Sequence, residues 1–270
     1  MIKAQVYSVA GEKISEIELP VQFSEPVRTD LISRVVIAIQ SHDHQPYGAD
    51  PMAGAKQGKA WPKRRHKYGG TYGKGVSRVA RKAMMHRGSQ FHWVGALGAQ
   101  TVKGVKAFPP EVGKIFAEKI NVKEKKKATR SAIAATANRE LVAAKHNVEG
   151  AKSIPFIVED KFEDMKKSKD VLAVLEKLGL AKELERTAEK KVRAGKGKAR
   201  ARKYKTKVGP LIIVSKACAL QNAAKNIAGI EVVQIKHLNA AQLAPGAIPS
   251  RLTIWTHAAL NLMQKERLFI

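Results

Sequence analysis

Glycine and lysine occur together at two places where their spacing approaches that of a phosphate-binding loop: Gly54-Ala-Lys-Gln-Gly58-Lys59 and Gly69-Gly-Thr-Tyr-Gly73-Lys74. Nucleotide hydrolysis on such a loop needs four residues between the glycines and a Ser or Thr after the lysine, so that backbone amides cradle phosphate and a hydroxyl meets the metal. Here three residues intervene, and Ala60 or Gly75 follows the lysine. His42, Asp43 and His44 could supply metal ligands, but zinc needs further ligands at fixed short spacing, and His66, His86 and His92 are scattered among Lys and Arg that repel a cation. The pairs Glu159-Asp160 and Glu163-Asp164 could act as general acid and base. Acids so placed more commonly open a helix, where the dipole favours negative charge. Cys218 lies in an apolar and small-residue stretch that suits a packed thiol. No catalytic residue, metal ligand or cofactor is expected.

The elements that must position these residues alternate in type. Residues 3–8 and 13–18 alternate apolar and polar side chains around Ala10-Gly11, a β-hairpin pattern. Residues 28–40 place Leu31, Ile32, Val35, Val36 and Ile39 at helical spacing, with Thr29 or Asp30 as N-cap. Residues 123–146 contain neither Gly nor Pro and predict one long helix. Short β-rich runs follow at 156–158, 211–214, 231–235 and 252–255. Helical patterns occupy 171–178 (closed by Gly179), 181–191, 219–227 and 256–265, with a short turn near 239–243. Strands alternating with helices predict an α/β fold, a parallel sheet flanked by helices. One domain is expected, formed by residues 1–45 and 109–270.

Charge marks out what interrupts that body. The chain has 270 residues and a formal net charge of +27. Residues 46–108 hold thirteen Lys/Arg against one acid, Asp50, and eleven of the chain's twenty glycines. Residues 190–207 hold ten bases and no acid, which leaves only +5 on the remaining 189 residues. Solvated faces normally mix signs, and these segments do not. They are the electrostatic footprint of a nucleic-acid binder. A membrane partner is disfavoured: neither segment has a basic helix with a continuous apolar face, and no apolar run reaches eighteen residues. The N-terminus lacks the pattern of a signal peptide. A single cysteine allows no internal disulfide and fits a reducing, cytoplasmic setting.

Residues 46–108 show no sustained apolar period, so they are expected to build no core of their own and to order only on a polyanion. Their aromatics are interleaved with cations, a composition suited to phosphate contact and to stacking on unpaired bases. Irregular RNA is therefore the natural target. The candidate phosphate contacts are Lys56, Lys59, Lys63, Arg64, Arg65, Lys67, Lys74, Arg78, Arg81, Lys82, Arg87 and Lys103. Trp61, Tyr68, Tyr72 and Trp93 are the candidate stacking rings. In the second segment, read as an ordered loop, the candidates are Arg193, Lys196, Lys198, Arg200, Arg202 and Lys203. Two rivals stand beside this reading: an RNA-modifying enzyme with a site at the strand ends, and a general DNA-binding or chromatin protein.

Several stretches resemble the archaeal and eukaryotic form of the large-subunit ribosomal protein four family. They are R-A-G-K-G-K-A-R at 193–200, G-P-L-I-I-V at 209–214, L-A-P-G-A-I-P-S-R-L-T-I-W-T at 243–256, S-A-I-A-A-T-A at 131–137, I-P-F-I-V-E-D at 154–160 and F-P-P at 108–110. The resemblance spans nearly the whole chain. Residues 73–82 are similar to a glycine-rich stretch of the family but lack its proline. The resemblance implies a globular α/β body with a four-stranded parallel sheet, an N-terminal hairpin and a long extended internal loop. It also implies that the loop penetrates ribosomal RNA and helps line the nascent-peptide exit tunnel, near the ribosomal protein twenty-two family. One copy per large subunit, with no enzymatic activity, is implied as well.

Overall fold

Residues Leu211–Val214 and Thr253–Thr256 are buried at every position, as strands covered on both faces must be. The computed structural model describes residues 2–56, 58, 61 and 63–270. In chain order the elements are β1 (Lys3–Tyr7), β2 (Lys13–Glu18), α1 (Thr29–His42), β3 (Arg81–Arg87), β4 (Gln90–Gly95), α2 (Val122–Thr136), α3 (Arg139–Ala143), β5 (Phe156–Val158), α4 (Ser168–Lys177), α5 (Ala181–Ala188), β6 (Lys191–Val192), β7 (Tyr204–Lys205), β8 (Leu211–Val214), α6 (Leu220–Ala224), β9 (Glu231–Gln234), α7 (Ala240–Leu243), β10 (Thr253–Thr256) and α8 (His257–Lys265). They fall into two units: a body of Met1–Asp43 with Ala117–Ile270, and an arm of His44–Phe116.

The body's sheet has six strands in the order β2-β1-β5-β10-β8-β9, not the four expected. β5, β10, β8 and β9 run parallel. The hairpin adds two more because β1 lies parallel to β5, pairing Val6 with Ile157 and Tyr7 with Val158. Val6 and Tyr7 are both buried, one on each face, so β1 behaves as an interior strand. β2 is left as the edge, and its exposed Lys13, Glu16 and Glu18 discourage further pairing. On one face Val6, Ile157, Ile213 and Trp255 pack against α1, α2, α7 and α8. On the other, Tyr7, Phe156, Val158, Ile212 and Ile254 pack against α4 and α6. The result is a sheet between two helical layers.

Three helical expectations need correction. The single helix over 123–146 is broken: α2 stops at Thr136, and Asn138 opens α3 by accepting the Glu140 N–H at 3.0 Å. An Asn side chain in competition with the helical ladder favours such a cap. α5 ends at Ala188 rather than 191, because the chain turns there into β6. α1 has no side-chain cap; Arg28 precedes it, and Asp30 pairs with Arg28 at 2.6 Å in its first turn. Gly179 does stop α4, with φ at +87°.

The long extended loop expected over 46–108 is not shown, and among its described residues one stretch is regular. β3 and β4 form an antiparallel hairpin from Arg81↔Gly95 to Arg87↔Gln90. β4 alternates in burial, with Phe91 and Trp93 turned inward and His92 and Val94 outward. A period of two is thus present where none was expected.

Candidate nucleic-acid interface

The inward rings of β4 build a small aromatic core. Phe91 and Trp93 stack at 5.4 Å, and Trp61 lies 5.6 Å from Phe91 and 6.0 Å from Trp93. Tyr68 meets Phe91 edge-on at 5.5 Å, and His86 stacks on it at 5.5 Å. Trp61 also donates its indole N–H to the Arg81 carbonyl at 2.8 Å, which ties the loop to β3. Gly69, at φ +69°, lets the backbone pass beside Trp61, where a Cβ would sit 3.2 Å from the ring. Rings of this size bury enough area for a few of them to hold a short segment together. This is why the expectation of a coreless arm fails.

Around that core the arm presents cations. Arg64, Arg65, Lys67, Tyr68, Tyr72 and Lys74 line one open concavity of about 450 Å³, together with His66, Gly69, Gly70 and Ser89. Arg65 donates to the Tyr72 hydroxyl at 2.9 Å and lies 5.1 Å from that ring's centroid. Lys74 is held over Trp93 at 4.9 Å and over Phe91 at 5.8 Å. Tyr68 and Tyr72 remain 71% and 51% exposed and offer free ring surface for stacking. Trp61 and Trp93 are half-buried against each other and offer less.

The other arm candidates are spread over its surface. Lys56 pairs with Asp50, and Lys63 donates to the Val76 carbonyl at 2.9 Å. Arg78, Arg87 and Lys103 are exposed, and Arg81 and Lys82 are half-buried on β3. Lys59 lies outside the described residues. Met84 and Met85 point outward from β3 and are exposed. Ser89, neither cation nor aromatic, carries no signal in the sequence that would place it at this concavity.

The second basic segment is a short hairpin. β6 and β7 pair Lys191 with Lys205 and Val192 with Tyr204. Between them Ala201 adopts φ +61°, and the Arg193 N–H donates to the Lys203 carbonyl at 2.8 Å. Arg193 also donates from Nε to the Arg202 carbonyl at 3.1 Å, while Lys196, Lys198, Arg200, Arg202 and Lys203 are exposed. Their charges therefore point to solvent.

Residues 17–266 match the ribosomal protein L4/L1 family. The chain belongs to that family. It is similar to the large ribosomal subunit protein uL4 of Nanoarchaeum equitans, 45% identical over 99% of this chain and 100% of the relative. The proteins of the same name from Methanocaldococcus jannaschii and Archaeoglobus fulgidus are each 41% identical, over 98% and 97% of this chain and 99% and 98% of their own lengths. The family resemblance is therefore to archaeal-type members.

Glu159, Asp160, Glu163, His42 and His44 are engaged in contacts within the fold. Glu163 is buried beyond the strand ends. Its Oε1 accepts from the Ser215 N–H at 2.8 Å and the Thr256 hydroxyl at 2.6 Å, and its Oε2 accepts from the Ser215 hydroxyl at 2.7 Å. Asp160 accepts the Ala258 N–H at 2.6 Å at the start of α8, and Glu159 accepts the Val9 N–H at 2.8 Å. These acids lock β8, β10 and β1 to the turn after β5. His42 donates to the Glu118 carbonyl at 3.1 Å, and His44 stacks on Phe116 at 4.8 Å. Among the described residues no three His, Cys, Asp or Glu side chains gather as a metal site. Burial pushes the half-buried Cys218 thiol upward, with nearby Glu163 and Asp164 adding to the shift. Among the described residues, no helix is long and apolar enough to cross a membrane.

Proposed function

We propose that the chain is a structural constituent of the large ribosomal subunit that binds the subunit's RNA through the arm and the β6–β7 hairpin. The observation that carries this reading is the almost wholly positive charge of both segments in a member of a ribosomal protein family. Lysines and arginines neutralise phosphate, and the exposed Tyr68 and Tyr72 rings take unpaired bases. The arm threads the RNA and contributes to the exit-tunnel wall beside a protein of the twenty-two family, one copy per subunit, in the cytoplasmic ribosome. RNA would draw the arm out of its self-packed form, since phosphates and bases compete for the same cations and rings.

The enzyme reading has less support. In open α/β sheets, sites lie outside the carboxyl ends of the strands, and there the Glu163 carboxylate is taken by three hydrogen bonds. The test is sedimentation of a tagged chain with ribosomal subunits through high salt. Retention at one copy per large subunit is the expected result. Release into the soluble fraction, or stronger capture by duplex DNA than by folded ribosomal RNA, would remove the proposal.

A further inference from the structure

The body carries a cavity of about 380 Å³ at the root of the β6–β7 hairpin. That volume is within the range of sites for small molecules. Its wall combines three kinds of group. Lys145, Lys191 and Lys205 bring positive charge, and among the described residues none of the three forms an ion pair with a carboxylate. Val208 and Pro245 bring apolar surface. Arg186 brings a flat guanidinium held in place: it donates from Nε and Nη2 to the two oxygens of Glu183 at 2.7 Å each, and from Nη2 to the Val208 carbonyl at 2.7 Å.

The Arg186 anchor is built from below. Glu183 is fully buried and also receives His146 Nδ1 at 2.6 Å and the Asn147 N–H at 2.9 Å. With its charge answered by Glu183, Arg186 has little left to offer a phosphate. Its plane, one quarter exposed, is suited to stacking. Bases of RNA stack on arginine planes as they do on aromatic rings. Lys145 donates to the Pro245 carbonyl at 3.0 Å, and burial lowers its pKa, so the wall holds a partly desolvated cation that an anion would relieve.

We propose that this cavity seats one unpaired nucleotide of the bound RNA, its base on Arg186 and against Val208 and Pro245, its phosphate on Lys191 and Lys205. The inference rests on the RNA-binding reading above and adds to it a single-nucleotide site in the body, separate from the arm. An acidic peptide would satisfy the lysines but would leave the flat, apolar part of the wall unused.

The test uses the full-length chain, isotope-labelled and titrated with adenosine 5′-monophosphate, with inorganic phosphate alone and with a hexaglutamate peptide. The expected result is saturable amide shifts from the nucleotide at Arg186 and Val208. These shifts should be absent in Val208→Trp, which fills the cavity and keeps every cation. A Lys191→Ala/Lys205→Ala variant should weaken the nucleotide about 10-fold and guards against misfolding of the first. Equal shifts from inorganic phosphate would reduce the site to an anion site and overturn the proposal. Displacement of the nucleotide by hexaglutamate would overturn it in favour of a peptide. In parallel, Val208→Trp should bind large-subunit RNA about 5- to 10-fold more weakly than the native chain. Equal RNA binding by both would sink the cavity inference and leave the RNA reading standing. Failure of the native chain to bind RNA would sink both.

Discussion

Lys74 holds its ammonium 4.9 Å above the Trp93 ring, so a lysine of the glycine-rich loop is fastened to β4 by the ring's own quadrupole. Phe91 stands at the centre of the same cluster, in contact with Trp61, Trp93, Tyr68 and His86. The arm of the free protein should therefore keep its β3–β4 hairpin without RNA. Hydrogen exchange on the isolated chain should show protection at 82–94 and fast exchange at 106–113, where the backbone forms no strand or helix. Phe91→Ala should cost the arm about 2–3 kcal/mol and abolish that protection. Uniformly fast exchange throughout the native arm would contradict the aromatic core.

Glu163 should be a damaging acid to alter. Its carboxylate accepts from Ser215 twice and from Thr256 once, and all three donors are on the turn after β8 or on β10. Glu163→Gln keeps the volume, removes the charge and turns one acceptor oxygen into an NH2 group, so the charge-assisted character of these bonds is lost. Charge-assisted hydrogen bonds are worth about 1.5–3 kcal/mol each, so a loss of about 2–4 kcal/mol in urea unfolding is expected. Were Glu163 catalytic rather than structural, the variant would unfold at the native midpoint.

Glu183 gives the body an acid-sensitive joint. Burial alone would raise its pKa. The hydrogen bonds from Arg186, His146 and the Asn147 N–H outweigh that and leave it below the ordinary glutamate value. A depressed folded-state pKa means stability that is fully present above the unfolded value, about 4.3, and lost as pH falls through the lower folded value. Unfolding free energy should therefore decline as pH drops below about 4.3. Glu183→Gln should be less stable at neutral pH and show a flatter acid limb. A variant whose acid limb matches the native one would show that Glu183 titrates alike in both states.

Much of the body can be read from the chain, because local pattern and tertiary role agree there. Leu211–Val214 and Phe156–Val158 are short apolar runs and form interior strands. The break after Thr136 is hidden, since Ala137 continues a good helical composition and only Asn138 competes as a cap. The position of β1 beside β5 is hidden too, because the Val6–Ile157 pairing is decided by packing at long range. In the arm, cations mixed with rings have the same composition whether the rings face bases or one another. Trp61 and Trp93 prove to be packed together, while Tyr68 and Tyr72 are exposed. Lys145 and Arg186 reach the β6–β7 cavity only through the fold, so no spacing in the sequence joins them to Lys191 and Lys205.

The β6–β7 hairpin makes a quantitative claim about salt. Lys196, Lys198 and Arg200 are exposed on a fixed turn, and among the described residues none forms an ion pair. Each phosphate neutralised on single-stranded RNA contributes about 0.7 to the slope of log affinity against log salt. Replacing all three by alanine should lower that slope by about 2 and weaken RNA binding without regard to sequence. An unchanged slope would place these charges away from phosphate.

The division into body and arm predicts separable losses. The body's two core clusters contain no residue of 73–93. Replacing those residues by a short Gly-Ser linker should leave the helix content and the cooperative unfolding of the body unchanged. The same deletion removes Lys74, Arg78, Arg81, Lys82 and Arg87 together with the exposed Met84 and Met85. If the arm threads RNA to the tunnel wall, large subunits carrying the variant should assemble slowly, and chemical probing of their RNA should show new reactivity at the wall. Subunits that assemble at the native rate with native probing would separate the arm from the tunnel. Collapse of the body on deletion would instead show that the two units fold as one.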